Sequence, residues 1–120
     1  MKTHKDLEVY KNSIDFVTRV YAITKTFPKE ESYGLTSQLR RAAISIPSNI
    51  AEGAARGHDK EFIHFLYIAH GSLAEIETQL IIARNLNYLS LSELEPLNEK
   101  MIIIRSQLSG LIKHLKSKPK

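Results

Sequence analysis

Apolar residues recur along this chain at steps of three and four in four separate stretches. Such spacing keeps side chains on one side of a helix with about 3.6 residues per turn. Over 5–26, Leu7, Tyr10, Ile14, Val17, Tyr21 and Thr24 form one stripe, with Thr3 and Asp6 as a capping pair at its start. Val9, Phe16, Val20, Ile23 and Phe27 form a second stripe, about 110° away. A helix in a monomeric bundle needs one core-facing stripe. The second therefore predicts burial between copies of the chain.

Phe27-Pro28 ends this helix, PKEESYG makes the connection, and Leu35, Leu39, Ala42 and Ile46 open a second helix over 35–55. Pro47 falls inside it, where a missing N–H and a clash with the carbonyl four residues back cost about 3 kcal/mol. The stripe resumes at Ile50 and Gly53, so the spacing predicts a helix that kinks at Pro47 and continues. Ser45, Ser48 and Asn49 are short enough to bond freed backbone groups there. Gly57 ends it.

The third stretch, over 59–86, has the most regular seam: Phe62, Leu66, Ala69, Leu73, Ile76, Leu80 and Ala83, with Phe65, Ile68 and Ile82 off it. Asp59 is placed to cap its first turn, and Asn87 tolerates the left-handed conformation that ends a helix. The fourth, over 92–115, repeats Leu94, Leu97, Met101, Ile104, Leu108, Leu111 and Leu115, with Ile102 and Ile103 in surplus. Two capping boxes overlap at its start, Ser90 with Glu93 and Ser92 with Glu95, and the later one keeps Pro96 in the tolerated first turn. The pattern predicts an all-α protein, one domain over 1–120: an antiparallel up-down-up-down four-helix bundle with a basic tail at 116–120. No strand-like alternation competes.

Composition narrows the chemistry. The 42% hydrophobic and 25% charged content is that of a folded chain, and without cysteine there is no disulfide or thiolate metal site. MKTHKDLEVYKN offers no signal-peptide run, and no stretch approaches the roughly 20 apolar residues of a membrane span, so the expected location is the cytoplasm. Seventeen basic residues against thirteen acidic give +4, compatible with nucleic acid. Arg40, Arg41, Arg56, Lys60, Lys113, Lys116, Lys118 and Lys120 are the candidate phosphate contacts, although Lys113 to Lys120 also reads as a solvated, frayed tail. There is no Trp, and the tyrosines fall mostly on apolar stripes, which leaves a base-stacking platform unsupported.

Opposite its apolar stripe the second helix carries a polar ladder of Arg41, Ser45, Ser48 and Glu52, bordered by Gln38, Asn49 and Arg56. It serves as a solvated face, as hydrogen bonds between helices or subunits, or as a lining that meets a partner. Glu61 and His64 spell the E-x-x-H pair that di-iron bundles carry twice. Here it occurs once, and Glu61 is explained as a first-turn acid favoured by the helix dipole. No metal site, cofactor or catalytic constellation is expected, because Gly71-Ser72 lacks a nucleophile-elbow setting and there is no glycine-rich phosphate loop. His70 reads as a hydrogen-bonded interface residue.

The words FPKEESYGLTSQLRRAAISIPSNIAEGAARG (27–57) and KEFIHFLYIAHGSLAEIETQL (60–80) resemble the four-helix-bundle proteins encoded in intervening sequences of bacterial 23S rRNA genes. His58 departs from the family pattern, where Ser is usual, and Asn87 stands where Gly is common. The resemblance implies a homo-oligomeric ring, a homopentamer, and a fold similar to the basic accessory rings of diversity-generating retroelements, which are proposed to bind nucleic acid. It also suggests rRNA as a partner, through gene location. The expected function is a non-catalytic, ring-forming bundle that binds RNA or other nucleic acid. The alternative is a protein-interaction scaffold. Val9, Phe16, Val20, Ile23, Ile102 and Ile103 are the expected contacts between copies.

Overall fold

Each periodic stretch is one helix: α1 (Glu8–Thr24), α2 (Leu35–Ala55), α3 (Asp59–Asn85) and α4 (Leu91–Ser117). The computed structural model describes residues 3–119, with 3-10 turns at His4–Asp6 and Lys29–Glu31 and no strand among the described residues. The Asp6 side chain, and with it the expected Thr3–Asp6 pair, lies outside the described residues, as does Lys120. Each helix packs closely against two others, in the order α1–α2–α3–α4 and back to α1. Contacts run in opposite senses along each neighbouring pair. Gln38 meets Gln79 where Ser45 meets Ser72, and Tyr67 meets Lys116 where Glu77 meets Arg105.

The core consists of Phe16 and Val20 from α1, Leu39, Ile46 and Ile50 from α2, Leu66, Leu73, Ile76 and Leu80 from α3, and Met101, Ile104 and Leu108 from α4. The α1 contribution corrects the sequence reading. Val9, Phe16 and Val20, expected between copies of the chain, are buried within the single chain, and Phe16 is 0% exposed. Ile23 is half-buried against the same cluster. The stripe expected to face the core lies at its edge instead, with Leu7, Tyr10 and Val17 half-buried and Ile14 exposed. Ser13 hid the true phase, and of the stripe expected to face the core only Thr24 is buried. Ser13 and Thr24 occupy core positions, and their hydroxyls donate to their own helix, Ser13 to the Tyr10 carbonyl at 2.8 Å and Thr24 to that of Val20 at 2.7 Å. A hydroxyl satisfied in this way can be buried at little cost.

Helix α2 passes through Pro47 without a break, and Pro47 is buried. The Asn49 amide donates to the Ser45 carbonyl at 2.7 Å, one of the side-chain bonds to backbone that the sequence offered near the proline. Gly53 fixes the approach of α2 to α3. A Cβ there would stand 2.8 Å from Cβ of Phe65 and 3.0 Å from a Phe62 ring carbon.

The helix ends follow their local chemistry. Gly57 takes φ +80° after α2, and Asn87 takes φ 62° after α3. The Asn87 N–H bonds the Arg84 carbonyl and that of Tyr88 bonds Ala83, closing a Schellman motif. At α4 the earlier capping box is used. Glu93 N–H donates to Ser90 Oγ at 3.2 Å, and the Glu93 carboxylate accepts from Ser90 N–H at 2.8 Å. The helix therefore starts at Leu91, Ser92 bonds the cap hydroxyl, and Pro96 lies beyond the first turn. Asp59 is in the first turn of α3 and is not its cap. His58 holds the cap position without a side-chain bond, while Asp59 pairs with Lys118 at 3.1 Å. α4 itself runs to Ser117, so part of the expected tail is helical, and Ile112 replaces Leu111 on the buried face.

Candidate functional site

The polar ladder of α2 does not stay together. Gln38, Arg41, Ser45, Asn49, Glu52 and Arg56, at steps of three and four, share the side toward α3. Ser48 falls on the other side, in the groove toward α1 with Tyr10, Ile14, Val17, Ile44 and Pro47. Across from the ladder, α3 presents Phe65, Ser72, Glu75 and Gln79.

Two clusters result. Asn49 donates to Ser45 Oγ at 2.9 Å, Ser45 and Ser72 hydroxyls lie 2.8 Å apart, and Ser72 donates to the Ile68 carbonyl at 3.2 Å. Each serine carries one hydroxyl hydrogen, so one of the two donates in the bond between them. Two helical turns along, the Gln79 amide nitrogen donates to Gln38 Oε1 at 3.4 Å and to Glu75 Oε2 at 3.2 Å. Gln79 is only 6% exposed, and its Oε1 has no donor among the described residues.

Between the clusters lies an open cleft of about 430 Å³, lined by Tyr33, Ser37, Gln38, Arg41, Ser72 and Glu75 among others. Tyr33 belongs to the α1–α2 connection and is 100% exposed. Arg41 has no ion pair or hydrogen bond among the described residues. A guanidinium, a carboxylate, an amide, hydroxyls and a phenol ring line one space.

The other candidate cations are distributed differently. Arg40 is taken up by α1, donating to Thr24 Oγ1 at 2.9 Å with its guanidinium 4.5 Å from the Tyr21 ring centre. Arg56 pairs with Glu52 at 2.9 Å and covers Phe65 at 5.0 Å. Lys116 donates to the Tyr67 hydroxyl at 2.8 Å, and Lys118 is held by Asp59. Lys60 is exposed without an ion pair among the described residues, and Lys113 lines the α3–α4 groove beside His70 and Ser109. The end of α2, the start of α3 and the end of α4 thus gather Arg56, Lys60, Lys113, Lys116 and Lys118 at one end of the bundle, apart from Arg41.

His70 lies 3.3 Å from Ser109 Oγ across α3 and α4. Burial, and then the charge of Arg105, hold its imidazole below the ordinary histidine range. His64 stacks edge-on against Phe65. Among the described residues no group of three or more His, Asp or Glu side chains is close enough to share a metal. Ile102 and Ile103 are exposed, joined on the α3 side by Ile81 beside Ile102.

The sequence reading missed Tyr33, Ser72, Glu75 and Gln79. Ser72, Glu75 and Gln79 step by three and four between Ile68 and Ile82, a polar strip of the same period as the α2 ladder. Tyr33 stands beside Gly34 in a connection, off every apolar stripe.

These features define an all-α four-helix bundle with a polar cleft between its second and third helices. No helix of the described residues is long and apolar enough to cross a membrane. The family model described as "23S rRNA-intervening sequence protein" matches residues 5–110, and the chain belongs to that family. A solved structure of similar shape is a protein with unknown function from the S23 ribosomal protein family of Bacteroides thetaiotaomicron. It superposes with TM-score 0.80 at 24% identity, covering 88% of this chain and 95% of that one, and shows the shared fold. No curated protein matches the chain.

Proposed function

We propose that this is a non-catalytic, cytoplasmic RNA-binding protein that acts as a homo-oligomer, a homopentameric ring by its family resemblance. The observation that carries the RNA reading is the gathering of Arg56, Lys60, Lys113, Lys116 and Lys118 at one end of the bundle. A ring repeats that end once per subunit, so a chain of net charge +4 becomes a strongly positive assembly. Contact with phosphates releases counterions, and affinity then falls linearly in log–log form as salt rises.

Fluorescence anisotropy with a labelled single-stranded RNA at about 50 and 200 mM salt tests this. Tight binding at the lower salt is expected. Lys60→Gln with Lys113→Gln should weaken it for all sequences and flatten the salt slope. No binding at the lower salt by an intact oligomer overturns the reading.

A protein scaffold is the second reading. The exposed Ile81 and Ile102, which line one α3–α4 groove, favour it, because neighbouring apolar side chains suit a protein partner. These isoleucines also serve contacts between copies in the first reading, so RNA binding decides between the two.

A further inference from the structure

We propose that the α2–α3 cleft is a guanine-nucleotide site, in which Tyr33 stacks on the base, Glu75 reads its Watson–Crick edge and Arg41 takes the phosphate. In its RNA arm this rests on the function proposed above. The cleft itself is argued from its own groups.

Glu75 is the one carboxylate among the residues lining the cleft, and its side chain is exposed. Gln79 donates to Glu75 Oε2 at 3.2 Å, and Glu75 Oε1 has no donor among the described residues. An ionised carboxylate accepts only, so this wall of the cleft is open to a ligand that brings N–H groups. The free guanidinium of Arg41 asks for an anion, since a planar fork of donors matches phosphate geometry. Tyr33 asks for a flat face. Its ring is 100% exposed and contributes nothing to the core, yet it stands at the rim of the cleft. The space of about 430 Å³ lies within the usual range for small-ligand sites.

Among nucleobases these demands select one. Guanine presents N1–H and N2–H₂ side by side, two donors that a single carboxylate can accept. Adenine and cytosine each place a ring-nitrogen acceptor next to their amino group, and uracil flanks its one N–H with two carbonyls. Facing Glu75, each of those sets acceptor against acceptor. An unstacked guanosine in single-stranded RNA and a free guanine nucleotide share the chemistry, and RNA proteins commonly hold splayed bases by an aromatic stack plus edge contacts.

The test uses the full chain. GMP, AMP, CMP and UMP are titrated by calorimetry, and guanosine-containing and guanosine-free single-stranded RNAs by anisotropy. GMP should bind at least tenfold tighter than the other three. Glu75→Gln should abolish that preference. Tyr33→Ala should weaken every nucleotide by roughly 5- to 150-fold, the effect of losing one stacked base. Arg41→Gln should weaken GMP but leave guanosine unchanged. All three side chains are exposed, so the variants should fold, which far-ultraviolet circular dichroism checks. GMP preference without RNA binding upholds the site for a free nucleotide and overturns the RNA function. RNA binding without guanine preference in either arm upholds the RNA function and overturns the site. A guanine preference that Glu75→Gln leaves intact also overturns it.

Discussion

The Arg40 guanidinium stacks on the Tyr21 ring, 4.5 Å from its centre, and so ties α2 to α1. The neighbouring Arg41 points about 100° away, into the α2–α3 cleft, as two successive helical residues must. One arginine of the pair is structural and the other is free to meet a ligand.

Arg40→Gln should therefore lower stability by about 1–2 kcal/mol, from the lost cation–π contact and the bond to Thr24. RNA affinity should be unchanged. Chemical denaturation and anisotropy on the same sample check this, and a loss of RNA affinity without a loss of stability would reverse the assignment.

Phe16 separates core from assembly. Phe16→Ala should cost about 3–5 kcal/mol, the usual effect of emptying a buried aromatic position. Its signature is a lower denaturation midpoint. Ile102→Asp with Ile103→Asp should instead leave the midpoint nearly unchanged and dissociate the oligomer, because both side chains are exposed in the single chain. Sedimentation velocity checks this, and a wild type that sediments at 13.7 kDa excludes the oligomer altogether.

Gly53→Ala should destabilise despite alanine's better helix propensity. The gain from propensity is about 0.5–1 kcal/mol, whereas overpacking costs about 1–3 kcal/mol. The added methyl meets the backbone-anchored Cβ of Phe65, which cannot swing aside. A midpoint equal to or above wild type would show that α2 and α3 can separate freely.

Stability should fall on mild acidification through His70. Its folded-state pKa is lowered, first by burial, so the unfolded chain takes the proton more readily. The contribution is present above the ordinary histidine value, about 6.5, and is lost as pH falls through the lowered one. Glu31 acts further into acid. The Tyr88 hydroxyl, and then the Leu35 N–H, hold its carboxyl below the ordinary glutamate range. That contribution is present above the ordinary range and is lost as pH falls through the lowered value. Denaturation midpoints across pH should show both steps, and His70→Gln should remove the first alone.

Much of the bundle was legible in the sequence because seams of period three and four are long and clean in α3 and α4. Helix α1 was not, since Ser13 interrupts its core face between Val9 and Phe16, and Thr24 was assigned to the other stripe. The α4 start failed for a different reason. Two capping boxes overlap, and Pro96 argued for the later one, yet the Ser90–Glu93 box forms on both arms. The ladder on α2 was readable as a face, but its partners Ser72, Glu75 and Gln79 lie 27 or more residues away along the chain. No local pattern announces that pairing. The basic residues were all visible, and so was the i,i+4 spacing of Glu52 and Arg56, whereas the pair of Lys118 with Asp59 depends on the fold.

The ring-like order of helix contacts bears on how quickly this chain finds its structure. Three of its four helix interfaces join segments consecutive in sequence, and only α1 against α4 brings distant segments together. Each hairpin can therefore form before a long loop must close. Topologies of this kind fold on the microsecond to millisecond scale. The closing step rests on Asn12 with Gln107 and Lys100 with Asp15. Substitutions there should speed unfolding and leave the folding rate nearly untouched.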